Sequence, residues 1–570
     1  MTTRTRSRWT AAPMVDAAAV TALAESLGVS EGIARLLVHR GYGDAEQAKR
    51  FLRPRLDQLH DGAAMMSLDV AVDRLVRAIR GGELVMIHGD YDVDGICSTT
   101  LLVRAIRGFG GNVVPFIPDR MTDGYDLGPA GVNRAIEIGA KVVVTCDCGT
   151  SAVEPVAALN AAGIDVVISD HHLSRGEMPM SLALLNPRRT DCGYPDKDLA
   201  AVGVAFKLAL ALAQALGVSD AFIWKMLDLV ALATVADVAS LRGENRIFVR
   251  YGMRMISETE NIGLRALLRA SGMDDKPLTA GRIGFTLAPR LNAAGRLGHA
   301  LRGVELLLTD STHEANAIAR ELEELNQRRQ SLDRATLDEA RAMAEPMVRN
   351  GAIGLVLAKE GWHPGVVGIV ASRIVEEFSR PTVLIAMDGD TGKGSGRSVS
   401  GFDLHSALGE CADLLLRYGG HRAAAGVTVA ASQLDAFTRR FDEVARARLT
   451  IDDLVPELRV DAEIELDQET LGLDVMLRHF EPFGVGNPSP VFAARNVTVA
   501  GAVRVVGKDG LKLTLVGTTG TQLEAIGWGM AALAPSIRAG SALDVAFRLE
   551  RDEYNGVSRL QARLADVVVR

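Results

Sequence analysis

The segment Leu84-Val-Met-Ile-His-Gly-Asp-Tyr-Asp-Val-Asp-Gly95 sets the tightest limit on what this chain can become. A short apolar run that reads as a buried strand stops at His88-Gly89, and three carboxylates, Asp90, Asp92 and Asp94, follow at alternate positions. Like charges held this close raise one another's pKa until a proton or a cation intervenes, so the pattern calls for a divalent ion at a strand end. An EF-hand calcium loop does not fit, because its last position needs a bidentate Glu and Leu101 stands there, and because a strand rather than a helix leads in. A solvated acidic turn stays open from this segment alone.

With 570 residues, 48% of them hydrophobic, the chain can build several domains with substantial cores. No apolar stretch is long enough to span a bilayer and the N-terminus lacks the apolar core of a signal peptide, so a soluble, cytoplasmic protein is expected. Arg4, Arg6 and Arg8 make an acid-free start that reads as a disordered tail. Cys97, Cys146, Cys148, Cys192 and Cys411 form neither a zinc ribbon nor an even disulfide framework and read as reduced core residues. A net charge of −8 argues against coating nucleic acid through bulk positive charge, while a locally basic groove remains compatible with it.

From Ser67 to about Thr309, helix-period segments alternate with β-branched runs: Leu84 to Ile87, Asn112 to Ile117, Lys141 to Thr145, and Ile164 to Ser169. Continuous apolar strands between helices predict an α/β fold with a parallel sheet covered on both faces. Ligands of such sheets gather beyond the carboxyl ends of the strands. Asp90, Asp92 and Asp94, Arg120, Asp147, and Asp170-His171-His172 fall at those four ends. Ser311-Thr-His-Glu314 reads as a capping box opening one long connecting helix to about Met347. A second, smaller α/β domain follows, with strands at Ala352 to Ala358 and Pro381 to Ala386 around a helix from Val366 to Phe378. Short alternating strands such as Lys512 to Val516 and Ala542 to Leu549 then predict a C-terminal β-barrel. The expected division is 1–66 for a tail and helical lead-in, 67–310 for the catalytic domain, 311–347 for the connecting helix, 348–450 for the second α/β domain and 451–570 for the barrel.

Three further pieces carry chemistry. Asp147, in Thr145-Cys-Asp-Cys-Gly149, follows a strand and can reach the first carboxylates; alone, it could equally cap a helix. In Asp170-His171-His172, adjacent imidazoles point different ways, so one can ligate a metal while the other meets substrate, and Asp170 can orient a ring; a pair of satisfied surface histidines is the bland alternative. Asp237 lies within Leu229 to Val238, an otherwise apolar segment that reads as a buried helix, where a buried carboxylate must meet a cation or carry a proton. Together these suit two divalent cations sharing a carboxylate, Mn²⁺ first by the mixed carboxylate and imidazole ligation, Mg²⁺ second.

The strings His88-Gly-Asp-Tyr-Asp-Val-Asp-Gly95 and Asp170-His171-His172 resemble those of the DHH phosphoesterase superfamily. The similarity narrows to its bacterial single-strand-specific 5′-to-3′ DNA exonucleases. It runs from Gly32 through Pro289-Arg-Leu-Asn-Ala-Ala-Gly-Arg296, Trp362 to Arg373, Gly394-Ser-Gly-Arg-Ser398 and Gly419-Gly-His421 to Pro482-Phe-Gly-Val-Gly-Asn-Pro488. The resemblance implies a DHH catalytic domain, a DHH-associated domain and an OB-like barrel. It implies that His88, Asp92 and Asp147 hold one metal and that Asp94, Asp147, His171 and Asp237 hold the other, with Asp90 as outer or alternative ligand and His172 on the scissile phosphate. It also implies a 5′-phosphate pocket at Arg120, Ser395 and Arg397, a backbone-phosphate contact at Arg296, and a role for His421 in a glycine-rich turn. Read without the family, each Arg is an ordinary surface ion-pair partner, and Gly394, Gly396, Gly419 and Gly420 are ordinary turns.

The expected activity is two-metal-dependent 5′-to-3′ degradation of single-stranded DNA to 5′-mononucleotides in repair and recombination. The expected protein is a monomer assisted by a helicase and a single-strand-binding protein. Strand selectivity is expected from a groove between the two α/β domains, with Lys508, Lys512, Arg548, Arg551, Trp528 and Tyr554 of the barrel available to track the strand. The alternatives are a DHH phosphodiesterase on short oligonucleotides or cyclic dinucleotides, and a noncatalytic single-strand-binding relative. The first would be shorter and lack a barrel. The second would have lost ligands, and every matched ligand position here is filled.

Overall fold

The computed structural model describes residues 7–120, 122–174, 176–554 and 557–570, without the side chains of 468–471, 553, 554, 557 and 558. Arg4, Arg6 and the side chain of Tyr554 therefore lie outside the described residues. The chain divides into two compact units: Tyr42–Gln327 with Leu477–Ser489, and Met1–Gly41 with Arg328–Met476 and Pro490–Arg570. It opens with β1 (Arg8–Ala11), α1 (Ala17–Leu27) and α2 (Glu31–His39). Arg8, expected in a tail, is instead the first residue of a strand and pairs with Glu457.

The unit that begins at Tyr42 starts with α3 (Ala45–Leu52) and is organised by a five-stranded parallel sheet. Its strands are β2 (Leu84–Gly89), β3 (Asn112–Phe116), β4 (Val142–Cys146), β5 (Asp165–Ser169) and β6 (Ala183–Leu185), in the order β3-β2-β4-β5-β6. The first four coincide with the β-branched runs of the sequence; β6, at three residues, is too short to show a pattern. The unbroken apolar character of the inner strands has a direct cause: successive side chains enter different cores. Val85, Ile87, Val142 and Val144 pack on one face, Met86 and Val143 on the other. Each fully buried valine contributes about 1.5–3 kcal/mol of transfer free energy. The first face is covered by α4 (Val93–Gly108), α5 (Ala201–Leu216) and α6 (Leu227–Ala236), helices that are apolar nearly all round because they are buried nearly all round. Farther along lies α7 (Ala288–Leu297).

Helix α8 runs without a break over Thr312–Arg349. Half of the capping box expected at its start is present. Ser311 Oγ accepts from the Glu314 N–H at 3.3 Å, but the Glu314 carboxylate accepts from the Thr309 hydroxyl instead of reaching back to Ser311. The Thr309 hydroxyl also accepts from the Ser311 N–H at 3.1 Å, so it has taken the place that Glu314 fills in a full box.

The other unit holds a mixed five-stranded sheet of β7 (Leu355–Glu360), β8 (Thr382–Asp388), β9 (Thr391–Arg397), β10 (Arg417–Gly420) and β11 (Ala424–Ala430), in the order β10-β11-β9-β8-β7. Helix α9 (Pro364–Phe378) joins the parallel pair β7 and β8. Gly394, Gly396, Gly419 and Gly420 look like turn residues in the sequence; the structure places them in strands β9 and β10. Packing accounts for the first of them: a Cβ on Gly394 would stand 2.8 Å from both Ile385 and Val427. Beyond the sheet, β12 (Glu457–Val460) pairs in parallel with β1. The barrel consists of β13 (Ala462–Glu463), β14 (Phe492–Val506), β15 (Gly510–Val516), β16 (Gln522–Gly527), β17 (Ala542–Tyr554) and β18 (Val557–Val569). A ladder between β14 and β17 closes it. Of the barrel residues singled out from sequence, Lys512 lies 3.3 Å from Glu524, Arg551 pairs with Asp474, and Trp528 is half exposed.

Candidate metal centre

Three strands of the parallel sheet stop at the same level, and their last hydrogen bonds tie the site together. The N–H groups of Asp90, Asp147 and Asp170 donate to the carbonyls of Cys146, Ser169 and Leu185 at 3.2, 3.0 and 3.0 Å. After Asp90 the chain turns at once into α4, whose N-cap is Asp92, accepting from the N–H groups of Asp94 and Gly95 at 2.9 and 3.3 Å. Gly95 permits the turn: a Cβ there would fall 2.3 Å from the Asp90 carbonyl oxygen. Asp94 is fully buried and serves α5 as well, its two oxygens accepting from Ala201 N–H at 2.9 Å and Val202 N–H at 2.8 Å. No side chain of α5's own caps that helix end, so Asp94 supplies the missing acceptor and meets the positive end of the helix dipole. Asp147 adopts a left-handed backbone conformation, φ 65°, which costs a non-glycine residue about 1–2 kcal/mol.

Around His171 Nε2 lie Asp147 Oδ1 at 3.1 Å, Asp237 Oδ2 at 3.8 Å and Asp94 Oδ2 at 4.0 Å. Three groups have donor atoms within 4.8 Å of one another: Asp94 with His171 and Asp237, Asp90 with Asp92 and Asp147, and Asp147 with His171 and His172. Asp147 belongs to two of them. His88 belongs to none; it is Asp90 that stands with Asp92 and Asp147. Among the described residues, His88 Nε2, Asp90 Oδ1, Asp147 Oδ1 and both ring nitrogens of His171 are buried without a hydrogen-bond partner. Buried polar atoms left this way are expensive, and four of these five, on Asp90, Asp147 and His171, belong to the groups of oxygen and imidazole donors just described, the signature of a cation site. The donor set fits two divalent ions.

The protonation energetics agree. Burial pushes the carboxyls of Asp90 and Asp147 well above the usual range. Burial, then the charge of Asp92, lifts Asp94 to about 7 against the pull of the Val202 and Ala201 N–H groups, and burial with Asp94 and Asp92 lifts Asp237 to about 8. Burial lowers His88 and His171 to about 4, which leaves neutral rings able to ligate. His172 differs. Burial opposes its charge, but the hydrogen bond from its Nδ1 to Asp170 Oδ1 at 2.8 Å, and the charge of that carboxylate, outweigh burial and hold it at about 9. Asp170 is buried, yet hydrogen bonds from His172 and Thr150 keep it well below the usual carboxylate range.

A stability test follows from these shifts. Without metal, the folded state retains protons on Asp94 and Asp237 that the unfolded chain gives up above its ordinary value of 3.8. Their contribution to stability therefore falls as pH rises from about 4 through about 8, while that of His88 and His171, lowered to about 4, rises only up to their ordinary value of 6.5 and so opposes it little above about pH 6. In chelator, the thermal midpoint should be lower at about pH 8 than at about pH 6, and Mn²⁺ should raise it most at the higher pH, where the ligands are deprotonated. A metal-free midpoint that rises over this interval would contradict the assignment of buried, cation-seeking carboxyls.

His172 is the exposed member, its side chain 46% accessible, with Nε2 3.1 Å from the Tyr125 hydroxyl. It lines a cavity of about 320 Å³ together with Asp90, Asp92, Asp237, Arg120 and Arg296. Tyr91, Tyr125 and Asn292 also line it and carry no signal of this in the sequence. Tyr91 sits between two of the motif's carboxylates, and its contact with Arg120, whose guanidinium lies 4.8 Å from the ring centre, is visible only in three dimensions. In the second unit, Arg397 donates to Ser395 Oγ at 2.9 Å, and both side chains abut Gly368 of α9, where a Cβ would lie 3.0 Å from Ser395 Oγ. His421 follows β10 at the end of the sheet where Arg397 pairs with Ala424, and its N–H donates to the Ala424 carbonyl at 2.9 Å. All five cysteines are free and buried, Cys148 with its Sγ 3.6 Å from His88 Nδ1.

Comparison with known proteins agrees with this architecture. The model of the DHH family N-terminal domain matches residues 84–234, that of the DHHA1 domain 351–447, and that of the RecJ OB domain 460–566. The single-stranded-DNA-specific exonuclease RecJ of Bacillus subtilis is 36% identical over 554 residues, covering 96% of this chain and 69% of its own length. The crystal structure of RecJ from Thermus thermophilus in complex with Mn²⁺ superposes with a TM-score of 0.84 at 33% identity, covering 99% of this chain and 80% of that one. Its complex with Mg²⁺ superposes with a TM-score of 0.79 at 32% identity, covering 99% and 78%. Identity at this level, sustained through the catalytic, associated and barrel domains alike, means that the chain belongs to the RecJ family of single-stranded-DNA-specific exonucleases.

Proposed function

We propose that this protein is a metal-dependent exonuclease that removes 5′-mononucleotides from single-stranded DNA in the 5′-to-3′ direction. The observation that carries the reading is the buried cluster of carboxylates and neutral imidazoles whose inward atoms lack hydrogen-bond partners. Asp92 and Asp147, with His88 or Asp90, would hold one divalent ion, and Asp94, Asp147, His171 and Asp237 the other, Mn²⁺ before Mg²⁺. When bound, such ions supply Lewis-acid polarisation of the phosphate and activation of water. His172, kept charged by Asp170, donates from Nε2 to a phosphoryl oxygen and steadies the charge that develops there. Arg296 contacts the strand's backbone phosphate. Arg120 serves as a phosphate contact of the catalytic domain, and Ser395, Arg397 and His421 serve as 5′-phosphate contacts of the second α/β domain. The same reading has the protein acting as a cytoplasmic monomer on strands exposed by a helicase and a single-strand-binding protein. No helix among the described residues is long and apolar enough to cross a membrane.

The test compares 5′- and 3′-labelled single strands with Mn²⁺, Mg²⁺ or chelator. Release of label from the 5′ end first, abolished by chelator, is the expected result; release from the 3′ end would overturn the polarity. Arg397→Ala should weaken use of 5′-phosphorylated ends about tenfold or more, the worth of a charge-assisted hydrogen bond, while 5′-hydroxyl ends change little. Equal loss on both ends would remove Arg397 from phosphate recognition.

A further inference from the structure

Residues 280–297 are one continuous helical run, but Ile283–Leu287 within it is π-helical, with the Ala288 N–H donating to the Ile283 carbonyl five residues back. Pro289 explains the bulge. Inside a helix its ring has no N–H to give and collides with the carbonyl four residues earlier, that of Phe285, so the backbone widens by one residue. Ile283 and Leu287 stay fully buried in the core, and Gly284 faces Val235 of α6, the helix that ends beside Asp237. Phe285 is left on the opposite side, 90% exposed. It is the one exposed phenylalanine among the described residues, the other 14 of the chain's 15 being buried or partly buried. The same run continues into Asn292 and Arg296, which line the catalytic cavity about 10 and 17 Å farther along the helix axis.

We propose that Phe285 is a stacking platform for a base of the single strand, at a nucleotide still some way from the cut, and thereby sets the preference for long strands over short ones. The inference rests on the nuclease reading above. A flat ring presented by a buried, bulged helix suits this use: every base offers a π-face, so stacking grips a strand without reading its sequence. The bulge presents the ring, and the rest of the helix leads to the proposed phosphate contact at Arg296.

The experiment uses the full chain and two substrates, a long oligothymidylate and a thymidine dinucleotide too short to reach Phe285. Phe285→Ala should raise KM for the long strand about tenfold with kcat nearly unchanged and leave the dinucleotide unaffected, while Phe285→Trp restores the long-strand KM. In chelator, where hydrolysis is off, the added indole of Phe285→Trp should be quenched by the oligothymidylate well beyond the quenching of wild type. A wild-type KM in Phe285→Ala, equal loss on both substrates, or no extra quenching would overturn the proposal. Failure of the wild type itself to degrade single strands would instead overturn the nuclease reading.

Discussion

Replacing Asp147 by Asn is expected to cut single-strand degradation at least about a thousandfold, the several kcal/mol that a two-metal site supplies, while leaving the metal-free protein as stable as wild type or more so. Both halves come from the same side chain. Asp147 shares donor groups with Asp90 and Asp92 on one side and with His171 on the other, so the proposed bridge is lost with its charge. It is also buried, surrounded by other carboxylates and left without a partner at Oδ1, so metal-free folding gains from neutralising it. Asn tolerates the left-handed backbone that Asp147 adopts, whereas Ala would add strain. Rates on a labelled strand and thermal midpoints in chelator give the two readouts. A variant that is inactive and also markedly less stable would point to misfolding, and one that stays active would remove Asp147 from the chemistry.

His172→Ala should cost about 10²–10³ in kcat, the usual worth of a preorganised donor to developing charge. Asp170→Asn separates presence from protonation. In the wild type the His172–Asp170 hydrogen bond keeps the ring charged up to about 9, so the rate should fall as pH rises through that value. Without the carboxylate the ring loses its main counter-charge and the fall should move toward neutral pH, with the acidic limb least affected. The substitution is also structural, since Asp170 accepts from the N–H groups of Thr150, His171 and His172. The pH profile is therefore the deciding measurement: an unshifted alkaline limb would mean that His172 does not act as a cation.

The parts of the fold legible in the sequence are those whose signal is local. Strands buried on both faces announce themselves as unbroken apolar runs, and β2 to β5 lie within a residue or two of the runs that mark them. Glycines mislead. Gly394 and Gly396 look like a turn, yet they are small because a neighbouring strand and its side chains leave no room, which depends on what lies across the sheet. Arg8 looks like part of a tail because the strand that receives it begins at Glu457, nearly the whole chain away. In the site, acids and histidines stand out because few other roles suit them after a strand. Tyr91, Tyr125, Asn292 and Phe285 do not, since aromatic and amide residues serve equally in cores, caps and surfaces.

The order of the residues was enough to specify the kinds of donor and the strand ends that carry them, because hydrophobic period and motif spacing are properties of a short stretch of chain. It could not specify which donors meet. Asp94 closing the end of α5, Asp90 rather than His88 standing with Asp92 and Asp147, and Pro289 pushing Phe285 outward each depend on distances of a few ångströms in the packed molecule. Those distances are set by how β2, β4, β5 and the helices above them pack, and packing is a property of the assembled core.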